Sequence, residues 1–97
     1  MADDVFYTYM VRCADGSLYT GWTTDIEGRV AAHNGERPGG AKYTRGRRPV
    51  TLAWYTTFSR KQDAQSMEYQ VKRMVRDQKE ALCAAFKKTH ESSEMKD

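Results

Sequence analysis

At 97 residues the chain has room for one hydrophobic core, because two domains would need at least ~50 residues each. Its net charge of +3 and pI near 8.9 suit a polyanionic partner without identifying one. With 39% apolar and 30% charged residues, no run approaches the ~18 apolar residues of a membrane span, and Asp3 and Asp4 stand where an export signal would carry positive charge.

Residues 5–13 and 17–23 are rich in aromatic and β-branched types and are separated by Ala14-Asp15-Gly16, which predicts a β-hairpin. The three-residue loop fits best, with a type I turn at Ala14 and Asp15 and Gly16 in the left-handed bulge position. Its register pairs Cys13 with Ser17, Val11 with Tyr19 and Tyr9 with Gly21, so Tyr9 and Tyr19 project from one face. A two-residue loop would turn them to opposite faces, because a slip of one residue inverts a strand.

Thr24-Asp25-Ile26-Glu27 has the form of a capping box, which predicts a helix with Arg29 and His33 four apart on one side. Asn34-Gly35 supplies its left-handed stop. Residues 35–49 read as a long loop with four of the seven glycines, both prolines, and the cations Arg37, Lys42, Arg45, Arg47 and Arg48. Loops of this length without secondary structure usually have a function. Residues 50–58 alternate as a third strand, with Val50, Leu52, Trp54, Thr56 and Phe58 on one face. Ser59 and Gln62 suggest a capping box for a helix through Val75, its inward stripe holding Ala64, Met67, Val71 and Met74. Asp77 reads as the N-cap of a shorter helix with Ala81, Leu82, Ala85 and Phe86 on its apolar side. One domain over residues 1–88 is expected, and 89–97, without periodicity, should be a disordered tail.

Cys13 and Cys83 share no short spacing with each other or with His33 and His90, so a zinc ligand set is not expected. They read as reduced thiols of a cytoplasmic protein, although spacing alone leaves a disulfide open.

Tyr7-Thr8-Tyr9, Tyr19-Thr20-Gly21, Arg29, His33 and Glu68 stand in the order of a known signature. On these residues, and on His33-Asn34-Gly35, Gly39-Gly40-Ala41-Lys42 and Thr44-Arg45-Gly46, the chain resembles the GIY-YIG nuclease superfamily over about residues 5–86. It is most similar to the small stand-alone bacterial members. The resemblance implies an α/β (α+β) fold, a small three-stranded antiparallel sheet flanked by three helices. It also implies a DNA endonuclease that hydrolyses phosphodiesters, structure-selective or weakly specific, in DNA repair or recombination. Tyr9, Tyr19, Arg29, His33 and Glu68 would form the catalytic set, Glu68 holding Mg2+ or Mn2+. Trp22 stands where the excision-repair nuclease has a lysine, and Gln78 is a loose counterpart of an Asn carried by some members.

The chemistry is consistent with those roles. A phenol, whose ordinary pKa is ~10, serves in proton transfer only with a nearby cation or a relaying water, and the resemblance makes Tyr19 the base with Tyr9 assisting. Gly21 would leave space for a phosphate. Arg29 would fork onto phosphate oxygens as charge develops. His33 would hydrogen-bond a phosphate or a tyrosine hydroxyl in either protonation state. Glu68 lies on the inward stripe, where a carboxylate needs a partner, and a magnesium ion that keeps part of its water shell would satisfy it. Arg37, Lys42, Arg45, Arg47 and Arg48 would track the backbone of branched or single-stranded DNA, with Tyr43 stacking on unpaired bases.

Each residue also has a plainer reading: cross-strand packing for the tyrosines, core for Trp22 and Trp54, a helix-end cation for His33, a surface side chain for Arg29. Glu68 can pair with Lys72, and the loop can be solvated charge. A catalytically weak nucleic-acid-binding module working with a partner protein is the competing function, and the chain is expected to be a monomer or weak dimer. A plain interaction domain whose basic loop meets an acidic protein is a third reading.

Overall fold

The computed structural model describes residues 4–95, with side chains through residue 90. Three strands, β1 (Phe6–Arg12), β2 (Leu18–Thr23) and β3 (Thr51–Phe58), form an antiparallel sheet in the order β2-β1-β3. Four helices surround it: α1 (Ile26–His33), a single turn α2 (Lys42–Arg45), α3 (Lys61–Lys72) and α4 (Arg76–Met95).

The hairpin has the expected loop. Cys13 and Ser17 are bridged at 2.8 Å, Gly16 closes back onto the Cys13 carbonyl at 2.9 Å, and its φ is 87°. Tyr9 therefore opposes Gly21 and Val11 opposes Tyr19. Because strand side chains alternate, β1 divides the core in two. Tyr9, Val11 and Cys13 pack toward α1 with Val50, Ile26, Val30 and Tyr19. Met10 packs toward α3 and α4 with Trp54, Val71, Cys83 and Met67. The Thr8 hydroxyl donates to the Ala64 carbonyl at 2.8 Å, which locks α3 onto that second face. A bidentate Arg12–Glu80 ion pair at 2.7–2.8 Å ties the end of β1 to α4 and holds the Glu80 carboxyl below its ordinary range.

The unbroken alternation expected of β3 does not hold. Met10 faces Trp54 while the next residue, Val11, faces Leu52, so Ala53 is the extra residue of a β-bulge. Leu52 therefore joins the α1 side and Trp54 the α3 side, where a regular strand would have put them together.

Three helix starts also differ. The α1 N-cap is Asp25 rather than Thr24: its carboxylate accepts from Gly28 N at 3.1 Å, and the Thr23 hydroxyl accepts from Asp25 N. An aspartate one residue later competes successfully because its oxygen reaches the third helical amide while Thr23 holds its own backbone. Arg60, with no side-chain cap, precedes α3, so the Ser59–Gln62 box does not form. In α4 the residue turned to the core is Cys83, with Leu82 and Phe86 beside it, while Ala81 and Ala85 are exposed. The helix opens at Arg76, where Gln78 accepts from Val75 N at 3.2 Å, and continues to Met95. The boundary expected at residue 88 thus falls inside α4, and residues 96–97 lie outside the described residues. Cys13 and Cys83 are both free, which closes the disulfide question.

The long loop is a folded element. Asn34 makes two hydrogen bonds to the Val50 backbone, at 2.7 and 2.9 Å, closing its ends as a strand pair would. Gly40 lies so near the Ala32 carbonyl that a Cβ could not be accommodated. Exchanging Asp25 for alanine should cost ~1 kcal/mol in chemical denaturation, whereas Thr24→Ala should be neutral; the reverse order would return the cap to Thr24.

Candidate active site

Tyr9 is fully buried in the middle of β1, yet its hydroxyl lies across Gly21 of the edge strand β2. A Cβ on Gly21 would come within 2.7 Å of that oxygen. The glycine is therefore filled by the phenol, and the space expected there for a phosphate is absent. Tyr19 projects on the same side, with its ring 5.2 Å from that of His33.

Two turns of α1 carry Arg29 and His33 onto this face. Arg29 Nε donates to Tyr9 Oη at 3.4 Å, and its Nη1 donates to the Gly39 carbonyl of the loop. His33 is fully buried, with Nε2 2.8 Å from Tyr9 Oη and Nδ1 3.0 Å from Thr44 Oγ1. The Ala41 N–H donates to Nδ1 at 3.3 Å. An Nδ1 that accepts from a backbone amide carries no proton, so the neutral ring holds its proton on Nε2 and donates to Tyr9. Tyr9 Oη thus receives two donors, and its own proton is left for a third group.

Burial pushes the His33 pKa down to about 4, helped by the positive charges of Arg29 and Arg48. The ring is neutral at physiological pH, which replaces the expectation of either protonation state, and of the two expected partners, a phosphate or a tyrosine hydroxyl, it meets the hydroxyl of Tyr9. Burial also pushes the Tyr9 phenol up to about 12, outweighing the hydrogen bond and charge of Arg29 that pull it down. Tyr19 and Glu68 each raise it further. Tyr9 accordingly keeps its proton at neutral pH.

Glu68 comes from α3, on the opposite side of the sheet, and its charge is felt at Tyr9 past the edge strand β2. Its side chain is 21% exposed and pairs with Lys72 Nζ at 3.0 Å, so the plain helical pair forms as well. Among the described residues no cluster of three or more His, Cys, Asp or Glu could hold a metal. The chemistry of the site is nevertheless that of one carboxylate already facing a cation, and a hard divalent ion with a water shell and substrate oxygens accepts such a donor set. Glu68 fits that role.

The residues expected to contact nucleic acid divide in two. Lys42 and Arg45 are exposed, with no hydrogen bond or ion pair among the described residues. Arg37 is exposed beside Asp25 at 3.6 Å. Arg48 donates to the His33 carbonyl at 2.8 Å, and Arg47 pairs with Asp15 at 3.1 Å and lies 4.0 Å over the Tyr43 ring. Tyr43 is itself stacked on Tyr19, with centroids 5.7 Å apart, so its ring is already engaged. Lys61 of α3 places its ammonium 5.6 Å over Trp22, the position where the resemblance has a lysine. Thr44 belongs to the quoted motif, but nothing in its spacing reveals that it is buried against His33.

Two outcomes follow from this geometry. Gly21→Ala should displace the Tyr9 hydroxyl from His33 and cost ~1–3 kcal/mol in denaturant unfolding; wild-type stability in that variant would show that the phenol is not held there. His33 has a folded-state pKa near 4 against 6.5 ordinarily, so as pH falls the unfolded chain takes the proton first. Its contribution is complete above pH 6.5 and is lost toward pH 4, by at most ~3 kcal/mol. Unfolding curves across that window should lose this slope in His33→Gln, and an identical slope in the variant would place its cause elsewhere.

A family model described as the GIY-YIG catalytic domain matches residues 5–81. A UPF0213 protein of Clostridium perfringens is 49% identical over 79 residues, covering 81% of this chain and 83% of that protein. One from Halobacterium salinarum is 51% identical over 76 residues, 78% of this chain and 96% of the relative. The solution NMR structure of a UPF0213 protein from Bacillus halodurans is 43% identical, with a TM-score of 0.53 and 84% of each chain covered. That of a protein from E. faecalis is 37% identical, with a TM-score of 0.56, covering 84% of this chain and 85% of the other. With a hydrogen-bonded Tyr–His–Arg centre on a three-stranded sheet and a match over most of its length, the chain belongs to the GIY-YIG catalytic domain family, a family of nucleases.

Proposed function

We propose that the protein is a metal-dependent DNA endonuclease acting on structured or weakly specified DNA, in a cytoplasmic repair or recombination role. One observation carries the reading: Tyr9 Oη on β1 lies 2.8 Å from His33 Nε2 and 3.4 Å from Arg29 Nε, both on α1, and sits across Gly21 of β2. A phenol, an imidazole and a guanidinium thereby meet beside the edge strand, along which an extended polynucleotide can lie.

The chain's own groups divide the work. Arg29, aligned by Tyr9 and the Gly39 carbonyl, offers its guanidinium to the nonbridging oxygens as charge develops. Tyr9, buried and held by His33, accepts from Arg29 Nε and so fixes the direction in which that guanidinium points. Tyr19, less buried, takes the proton of the attacking water as it releases its own to bulk solvent. Glu68 would hold Mg2+ or Mn2+, which when bound supplies positive charge at the leaving group. Lys42 and Arg45, exposed and unpaired among the described residues, meet flanking phosphates.

A second reading, a nucleic-acid-binding module acting with a partner protein, draws on the Glu68–Lys72 pair at 3.0 Å, which already neutralises the carboxylate. Labelled flap, junction and single-stranded DNA incubated with magnesium or manganese separates the two. Cleavage by the wild type should fall by at least ~100-fold in both Glu68→Ala and Arg29→Ala. Undiminished cutting by both variants would trace the activity to a contaminant and sink the enzyme reading. Binding that weakens steeply with salt, without cutting, would select the module.

A further inference from the structure

We infer that the one-turn helix α2 is a positioning element of the active site: Thr44 acts through His33 on Tyr9, and the adjacent Tyr43 acts directly on Tyr19. The word active rests on the nuclease reading above, but the geometry can be tested without turnover.

Thr44 is fully buried in a stretch otherwise dominated by exposed glycine and arginine. Its hydroxyl sits between His33 Nδ1, at 3.0 Å, and the Ala41 carbonyl, at 2.9 Å. Ala41 is the N-cap of α2, and its amide reaches the same Nδ1. If the ring proton moved to Nδ1, it would face that amide proton across 3.3 Å, so the backbone of α2 disfavours the other tautomer. The imidazole proton is thereby kept on Nε2, aimed at Tyr9 Oη, and the Tyr9 proton is turned away from His33. A short element of the loop thus determines which way a hydroxyl on β1 donates.

Tyr43 performs the steric half. Its ring stacks on Tyr19 at an interplanar angle of 27°, while His33 meets Tyr19 edge-on at 66°, so the phenol is clasped by both. Arg47 holds Tyr43 in turn through its guanidinium over the ring and a 2.8 Å hydrogen bond to the Tyr43 carbonyl. The same Arg47 is anchored to Asp15 in the β1–β2 turn, which closes the connection back to the hairpin carrying both phenols. A loop side chain used only to follow phosphates needs none of these contacts.

The test uses the full chain with Thr44→Val, Thr44→Ser, Tyr43→Ala and Tyr43→Phe. In the free protein, nitrogen-15 shifts of the His33 ring should report a single Nε2–H tautomer throughout, because the Ala41 amide remains, while the Nδ1 shift should be preserved in Thr44→Ser and displaced in Thr44→Val, which lacks the hydroxyl that meets it. Aromatic proton shifts of Tyr19 should change in Tyr43→Ala and be retained in Tyr43→Phe. In cleavage assays Tyr43→Ala should lower kcat by about 10- to 100-fold with little change in KM, and Tyr43→Phe should restore it. An unchanged Nδ1 shift in Thr44→Val would overturn the role of Thr44. A raised KM with unchanged kcat and a flatter salt dependence in Tyr43→Ala would make Tyr43 a DNA contact instead. If the wild type cuts nothing, the nuclease reading fails alone, and the two spectroscopic signatures still decide the inference.

Discussion

The buried hydrogen bond between His33 Nε2 and Tyr9 Oη, 2.8 Å long, is the constraint on which the rest of the site depends. It joins the central strand to the last turn of α1 and lies where water cannot compete for either partner. A buried polar pair is costly unless every group in it is satisfied, and here the chain extends in both directions, to Arg29 beyond the phenol and to Thr44 and Ala41 beyond the imidazole. The network accordingly recruits β1, α1 and the loop into one unit. Gly21 is a consequence of it, since the hydroxyl that meets His33 must cross the edge strand at that residue.

The same network explains a division of labour between two otherwise similar residues. Tyr9 is buried and pushed up to about 12, while Tyr19 is only partly buried at the periphery of the same cluster. A phenol that accepts two hydrogen bonds and resists ionisation is suited to fixing the orientation of its donors, here Arg29 and His33. Tyr19 is the phenol nearer the surface. Neither role is evident from a tyrosine in a strand, because the difference is one of burial and partners.

Basic residues of the loop illustrate how charge in a sequence can be spent on structure. Arg47 and Arg48 are used internally, on Asp15, Tyr43 and the His33 carbonyl, and Asn34 seals the loop against Val50. Only part of the positive charge remains for a polyanion, with Lys42 and Arg45 the clearest candidates. Folding the loop onto α1 also requires Gly40 to approach the Ala32 backbone closely, a demand that a merely flexible linker would not make.

By itself, the sequence determined whatever depends on local pattern. Ala14-Asp15-Gly16 set the hairpin loop and with it the register that turns Tyr9 and Tyr19 to one face, because turn length and strand period leave no freedom between them. Four-residue spacing set Arg29 and His33 along one side of α1, and the ordered signature pointed to the family. Tertiary structure alone decided the rest. The bulge at Ala53 exchanges the faces of Leu52 and Trp54, and a turn of helix forms inside the loop, each depending on contacts with distant segments, while the cap at Asp25 depends on which side-chain oxygen reaches the Gly28 amide. The protonation of His33, the filling of Gly21 by a phenol and the clasp of Tyr43 on Tyr19 arise only when β1, β2, α1 and α2 meet, since burial and hydrogen-bond partners are properties of the packed chain.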